Sequence, residues 1–148
     1  MTPSEITKAA KALLTAEETR TQISLLSIDY PGMTMDDAYA VQAELIAMKR
    51  AQGRMQIGWK IGLTSRAMQE QLKIATPDSG VLLDDMLFAH GATVPKSRFI
   101  QTRVEAEIAF LMARDLSGAD VTRDDVLTAT DHVAPALEIL DTRILRVD

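Results

Sequence analysis

The chain has 148 residues, 47% of them hydrophobic and 25% charged, which is enough for a domain with a real core. With 0 cysteines it has no disulfide framework and no thiolate metal site, so a metal would be held by oxygen or by His90 or His132. A net charge of −5, without a basic cluster or an aromatic stacking platform, argues against a nucleic-acid partner.

In chain order, Thr2-Pro3-Ser4-Glu5 reads as a helix start: Thr2 caps, Pro3 suits the first turn and Glu5 closes a capping box. It is not a signal peptide, because it lacks a basic start and an apolar run. No apolar stretch approaches the ~20 residues of a membrane span. A cytoplasmic protein with no membrane partner is the expectation. Ile6, Ala9, Ala10, Leu13 and Leu14 recur at helical spacing. Ile23 to Ile28 is a short apolar stretch ending in the turn Asp29-Tyr30-Pro31-Gly32. Thr34-Met35-Asp36-Asp37 starts a second helix, continued by Ala38, Val41, Gln42, Leu45 and Met48 toward a stop at Gly53.

After Gly53 the pattern changes. Ile57 to Leu63 reads as a glycine-containing strand, Ser65 to Leu72 as a short helix, and Thr76 to Gly80 as a loop, with strand resuming at Val81 to Leu83. His90-Gly91-Ala92 is a turn, Thr102 to Met112 a strand, Thr122 a helix cap, and His132 to Leu140 a final strand. The fold class is α+β. An N-terminal helical region, 1–53, precedes a mostly β region, 54–148.

Three stretches carry candidate chemistry. In Arg103-Val104-Glu105-Ala106-Glu107-Ile108-Ala109-Phe110, strand alternation puts Glu105 and Glu107 on one side, about 6.5–7 Å apart. Val104, Ala106, Ile108 and Phe110 take the other side, which fits a core. An acidic strand face turned to solvent would read the same way. Glu138 lies in the apolar run Val133 to Asp141, where a carboxylate is costly unless paired or metal-bound. An ion pair with Arg103 or Arg143, or outward alternation, is the competing explanation. Three carboxylates without cysteine suit magnesium, manganese or calcium rather than zinc.

The second stretch is Gly58-Trp59-Lys60-Ile61-Gly62-Leu63-Thr64-Ser65, a lysine flanked by glycines that admit a close approach of backbone to ligand. Lys60 is suited to proton transfer or carboxylate binding if partly buried, and otherwise is a lysine reaching solvent from a strand end. The third, Pro77-Asp78-Ser79-Gly80, is by itself an ordinary turn.

These pieces stand in a familiar order: Asp29-Tyr30-Pro31, Asp37 to Gln42, GWKIGLTSRAMQ, PDSGVLLDDMLF, RVEAEIAF and PALEILDTR. The chain resembles, from about Ile23 to Arg143, the 2-oxo-hept-3-ene-1,7-dioate hydratase and 2-hydroxypentadienoate hydratase family of aromatic meta-cleavage pathways, in the fumarylacetoacetase superfamily. The resemblance implies a fumarylacetoacetase-like catalytic fold and a hydro-lyase that adds water to a 2-oxo-alkenoate or its 2-hydroxydienoate tautomer. It implies Glu105, Glu107 and Glu138 as ligands of Mg2+, with Mn2+ as the alternative, and Lys60 and Asp78 as catalytic residues. A small 2-oxo acid is the expected substrate, and a homo-oligomer or a complex with a related pathway enzyme the expected assembly.

The competing enzyme is a 4-oxalocrotonate decarboxylase-like protein. A C–C hydrolase of an acylpyruvate would need a water-activating base that the sequence does not reveal. Trp59 stands where close relatives have histidine, and Ser79 where a tyrosine is usual; both departures bear on substrate. Family members also continue for about as many residues again. The chain up to Asp148 is therefore expected to be the N-terminal part of that fold, or an inactive fragment that only associates with a partner.

Overall fold

The structure of the chain, a computed structural model, describes residues 1–145. Residues 146–148, the end of the expected β-rich region, lie outside the described residues. The chain divides into two compact units. One is Met1–Ile100 rejoined by the chain from Arg143, and the other is Gln101–Thr142.

The first unit begins with α1 (Pro3–Thr19), started by the Thr2–Glu5 capping box and ended at Arg20 in the left-handed region. A second capping box, Thr34 with Asp37, starts α3 (Met35–Ala51). Gly53, at φ +92°, follows it. Ala9, Ala10 and Leu14 of α1 bury against Val41 and Leu45 of α3, with Leu26 completing the cluster and Ile6, Leu13 and Met48 packed around it. The small alanines let the two helices approach closely. Each buried leucine contributes about 1.5–3 kcal/mol. The apolar stretch at 23–28 resolves into two pieces: Ile23 makes a parallel bridge to Ile144, and Leu26–Asp29 forms α2, a single helical turn.

Lys49 continues the Val41–Leu45 stripe by one more turn and is only 1% exposed. Its Nζ donates to Glu17 Oε1 at 2.6 Å and to Oε2 at 2.7 Å. Arg143 Nε donates to the same Oε2 at 2.8 Å, so one carboxylate ties α1, α3 and the chain after residue 142 together.

β1 (Gln56–Gly62) and β2 (Asp78–Leu83) form an antiparallel ribbon, with α4 (Arg66–Leu72) in the connection and Ser65 as its cap. This corrects the sequence expectation at Asp78–Gly80. Those residues are strand, not loop, because their backbone pairs with Gly62 to Lys60. Leu63, just past β1, has φ 54°, which turns the chain sharply toward the Ser65 cap.

The second unit is a longer ribbon of β3 (Arg103–Met112) and β4 (Thr130–Leu140), joined through α5 (Arg123–Ala129) with a Thr122–Asp125 capping box. Val104, Ala106, Ile108 and Phe110 do share a face, but it is exposed and not a core. Ile108 is 68% exposed, and Leu137 of β4, opposite Ala106, is 73% exposed. A two-stranded ribbon has two broad faces, and among the described residues nothing buries this one.

Candidate metal centre and acid–base pair

On the β3–β4 ribbon, cross-strand register decides where the carboxylates meet. Glu105 lies directly opposite Glu138, and Ile108 opposite Pro135. Residues directly opposite in an antiparallel pair project to the same side, as do residues two apart on one strand. Glu105, Glu107 and Glu138 therefore occupy one face, and each offers an oxygen within 4.8 Å of the others. Glu105 is exposed, while Glu107 and Glu138 are half-buried. Oxygen Oε2 of Glu138 is closed off from solvent.

Like charges placed directly opposite destabilise a strand pair. A hard divalent cation removes that repulsion and prefers carboxylate oxygens. The donor set fits such an ion, since the chain has no cysteine and the three groups supply oxygen alone. Arg143, which the sequence offers as a partner for Glu138, engages Glu17. His132 pairs with Asp131, 2.7 Å from Nδ1 to Oδ2, at an exposed position of β4.

On the β1–β2 ribbon, Lys60 lies opposite Gly80 and Asp78 opposite Gly62. Lys60 and Asp78 are thus diagonal neighbours on one face, a spacing of about 7–8 Å that a lysine side chain can span. Lys60 is half-buried and Asp78 exposed. Glycines occupy the two remaining corners of this face.

Trp59 is on the other face, at the groove toward α3. There it lines a cavity of about 430 Å³ with Tyr39, Ala43, Ile46 and Arg50. Ser79 shares that side: its N–H donates to the Tyr39 hydroxyl at 3.2 Å, and its carbonyl accepts from Gln42 Nε2 at 3.0 Å. The two departures expected to bear on substrate therefore stand on the side of β1–β2 away from Lys60 and Asp78.

The Glu105–Glu138 register and the role of Glu17 are not legible in the sequence motifs. For the second, a signal was present: Val41, Leu45 and Lys49 follow one another at four-residue spacing, so the lysine sits in the apolar stripe and requires a buried anion.

No family model matches the chain. It is 50% identical to the 2-oxo-hept-4-ene-1,7-dioate hydratase of Escherichia coli over 96% of its own length and 53% of that protein's. It is 44% identical to the 2-keto-4-pentenoate hydratase of Paraburkholderia xenovorans strain LB400, covering 97% of this chain and 54% of that protein. Among solved structures it matches 4-oxalocrotonate decarboxylase from Pseudomonas putida G7, complexed with magnesium and adipate. That match has a TM-score of 0.92 at 35% identity, over 97% of this chain and 55% of the other. The chain thus spans about half the length of the relatives it matches. Its fold is the α+β arrangement expected from the sequence, corresponding to part of a fumarylacetoacetase-like domain.

Proposed function

We propose, starting from the chain's homology to 2-oxo-alkenoate hydratases, that it carries part of the machinery of a metal-dependent hydratase acting on a small 2-oxo-alkenoate of aromatic meta-cleavage catabolism. The observation that carries this reading is the cluster of Glu105, Glu107 and Glu138, whose oxygens converge within 4.8 Å on a cysteine-free ribbon. Those three residues would hold the cation, magnesium first and manganese as the alternative. A bound divalent cation supplies Lewis acidity to a 2-oxo acid.

Lys60 and Asp78 handle protons. An ammonium and a carboxylate set diagonally on one ribbon face supply a proton donor and an acceptor. In this reading Asp78 orients and deprotonates the water, and Lys60 returns a proton to carbon. The helical region 1–53 serves as scaffold, and 54–148 contributes the chemistry.

A cytoplasmic location and a homo-oligomer, or a complex with a related enzyme, belong to the same proposal. The exposed apolar face of the β3–β4 ribbon supports association. Among the described residues, no helix is long and apolar enough to cross a membrane.

The second reading is a decarboxylase of the same substrate class, favoured by the structural likeness to 4-oxalocrotonate decarboxylase. One assay separates the two. The protein is incubated with a 2-hydroxydienoate with and without magnesium, while ultraviolet absorbance and carbon dioxide release are followed. Magnesium-dependent loss of absorbance without carbon dioxide is expected, falling to background in Glu105→Ala. Release of carbon dioxide selects the decarboxylase, and neither signal selects a non-catalytic fragment.

A further inference from the structure

We propose that Gly62 is a positioning residue: the absent side chain at this point of β1 is the seat of the Asp78 carboxylate. The inference rests on the reading of Lys60 and Asp78 as the acid–base pair, and it adds a residue outside that pair.

The argument is steric. Gly62 is the register partner of Asp78. A Cβ at residue 62 would overlap Asp78 Oδ1 and lie 3.2 Å from its Cγ and 3.6 Å from its Oδ2. The carboxylate of Asp78, though exposed, therefore occupies the volume that a side chain at residue 62 would take. Backbone conformation does not impose the glycine, because Gly62 is not among the glycines with positive φ.

Other glycines of the same ribbon carry no such constraint. A Cβ at Gly58 would meet only Leu82 Cδ1, at 3.9 Å, and one at Gly80 would meet nothing within 4 Å. The demand for glycine is thus local to residue 62 and comes from a single side chain. That side chain is short, and its clashing atom is its outer end. A methyl group at 62 therefore displaces the carboxylate rather than the strand.

The consequence for chemistry follows from where the displacement occurs. Asp78 is diagonal to Lys60 on the same face. Moving its oxygens out of that volume changes their distance to anything held beside Lys60. A misplacement of about 1 Å in an oriented site costs on the order of 100-fold in rate.

The test uses the whole chain and two readouts. The first is the 13Cγ resonance of Asp78 together with its backbone amide, in wild type, Gly62→Ala and Gly58→Ala. Gly62→Ala is expected to shift both Asp78 signals, and Gly58→Ala to leave them in place. Unmoved Asp78 signals in Gly62→Ala, or equal movement in Gly58→Ala, overturn the proposal whatever the activity.

The second readout is kinetic. Gly62→Ala is expected to lower kcat on the order of 100-fold with KM little changed. In an Asp78→Ala background, the same change at 62 is expected to cost nothing further. Displaced Asp78 signals with unchanged kcat would keep the steric seat and refute the acid–base reading, so the two failures are distinct. Should Gly62→Ala not fold, the double variant Gly62→Ala with Asp78→Gly removes the overlap and is expected to fold. If the double variant also fails, position 62 needs glycine for its backbone and the proposal is wrong.

Discussion

The α1–α3 pair and the β3–β4 ribbon are both amphipathic, yet only the helices close their apolar face. Ala9, Ala10 and Leu14 meet Val41 and Leu45 within the first unit, and the two capping boxes satisfy the helix starts. On the ribbon, Val104, Ile108, Phe110, Val133 and Leu137 stay exposed, while the opposite face gathers three carboxylates. Hydrophobic burial holds the helices together, whereas the ribbon rests on its backbone ladder and carries like charges at close range. Stability and candidate chemistry are therefore assigned to different elements, as expected where a functional site holds groups that oppose folding.

The strongest way to break this contrast is to disrupt the helical layer. Glu17→Gln leaves the buried Lys49 without its anion and should cost about 3–5 kcal/mol in denaturant unfolding followed by helical signal. The same variant changes the acid limb. Burial pushes the Glu17 carboxyl up, but Arg143 and then Lys49 outweigh it and hold the group below its ordinary value. Its folded value being depressed, Glu17 contributes stability that is present above about pH 4.5 and lost as pH falls through the folded value.

Asp37 behaves alike. The Met1 ammonium, then the Thr34 backbone and hydroxyl donors, lower it from 3.8 to about 2, so its contribution fades between those values. Wild type should therefore lose more stability on acidification than Glu17→Gln, which keeps only the Asp37 component of the two. Parallel acid limbs would contradict the Glu17 assignment.

A smaller effect sharpens the comparison directly. Leu45→Ala removes a core side chain and should cost about 2–5 kcal/mol. Leu137→Ala, at a position 73% exposed, should stay within about 0.5 kcal/mol in the dissociated chain and cost more only where that face is associated. An equal cost at both positions would mean that the ribbon face is covered in solution.

How far this was legible in the sequence depended on whether a feature is local. Helix starts at Thr2, Thr34 and Thr122 follow from capping chemistry within four residues, and all appear in the structure. The shared face of Glu105 and Glu107 follows from strand alternation alone. What could not be read is cross-strand. Asp78–Gly80 has the residues of a turn, and only its pairing to Gly62–Lys60 makes it strand. The cost of a carboxylate in an apolar run points to Glu138, but only register sets it opposite Glu105. The apolar side of β3 looked like core because periodicity shows that a face is apolar, not that anything covers it.

Cation binding at the three carboxylates is the central claim, and amide hydrogen exchange across β3 and β4 tests it most directly. The protein is titrated with magnesium, and separately with manganese, in wild type and Glu105→Gln. Saturable protection of the β3–β4 amides is predicted in wild type, with the amides of α1 and α3 unchanged and the effect lost in Glu105→Gln. Protection that is absent in wild type, or that persists undiminished in Glu105→Gln, would contradict the assignment of Glu105, Glu107 and Glu138 as a metal centre.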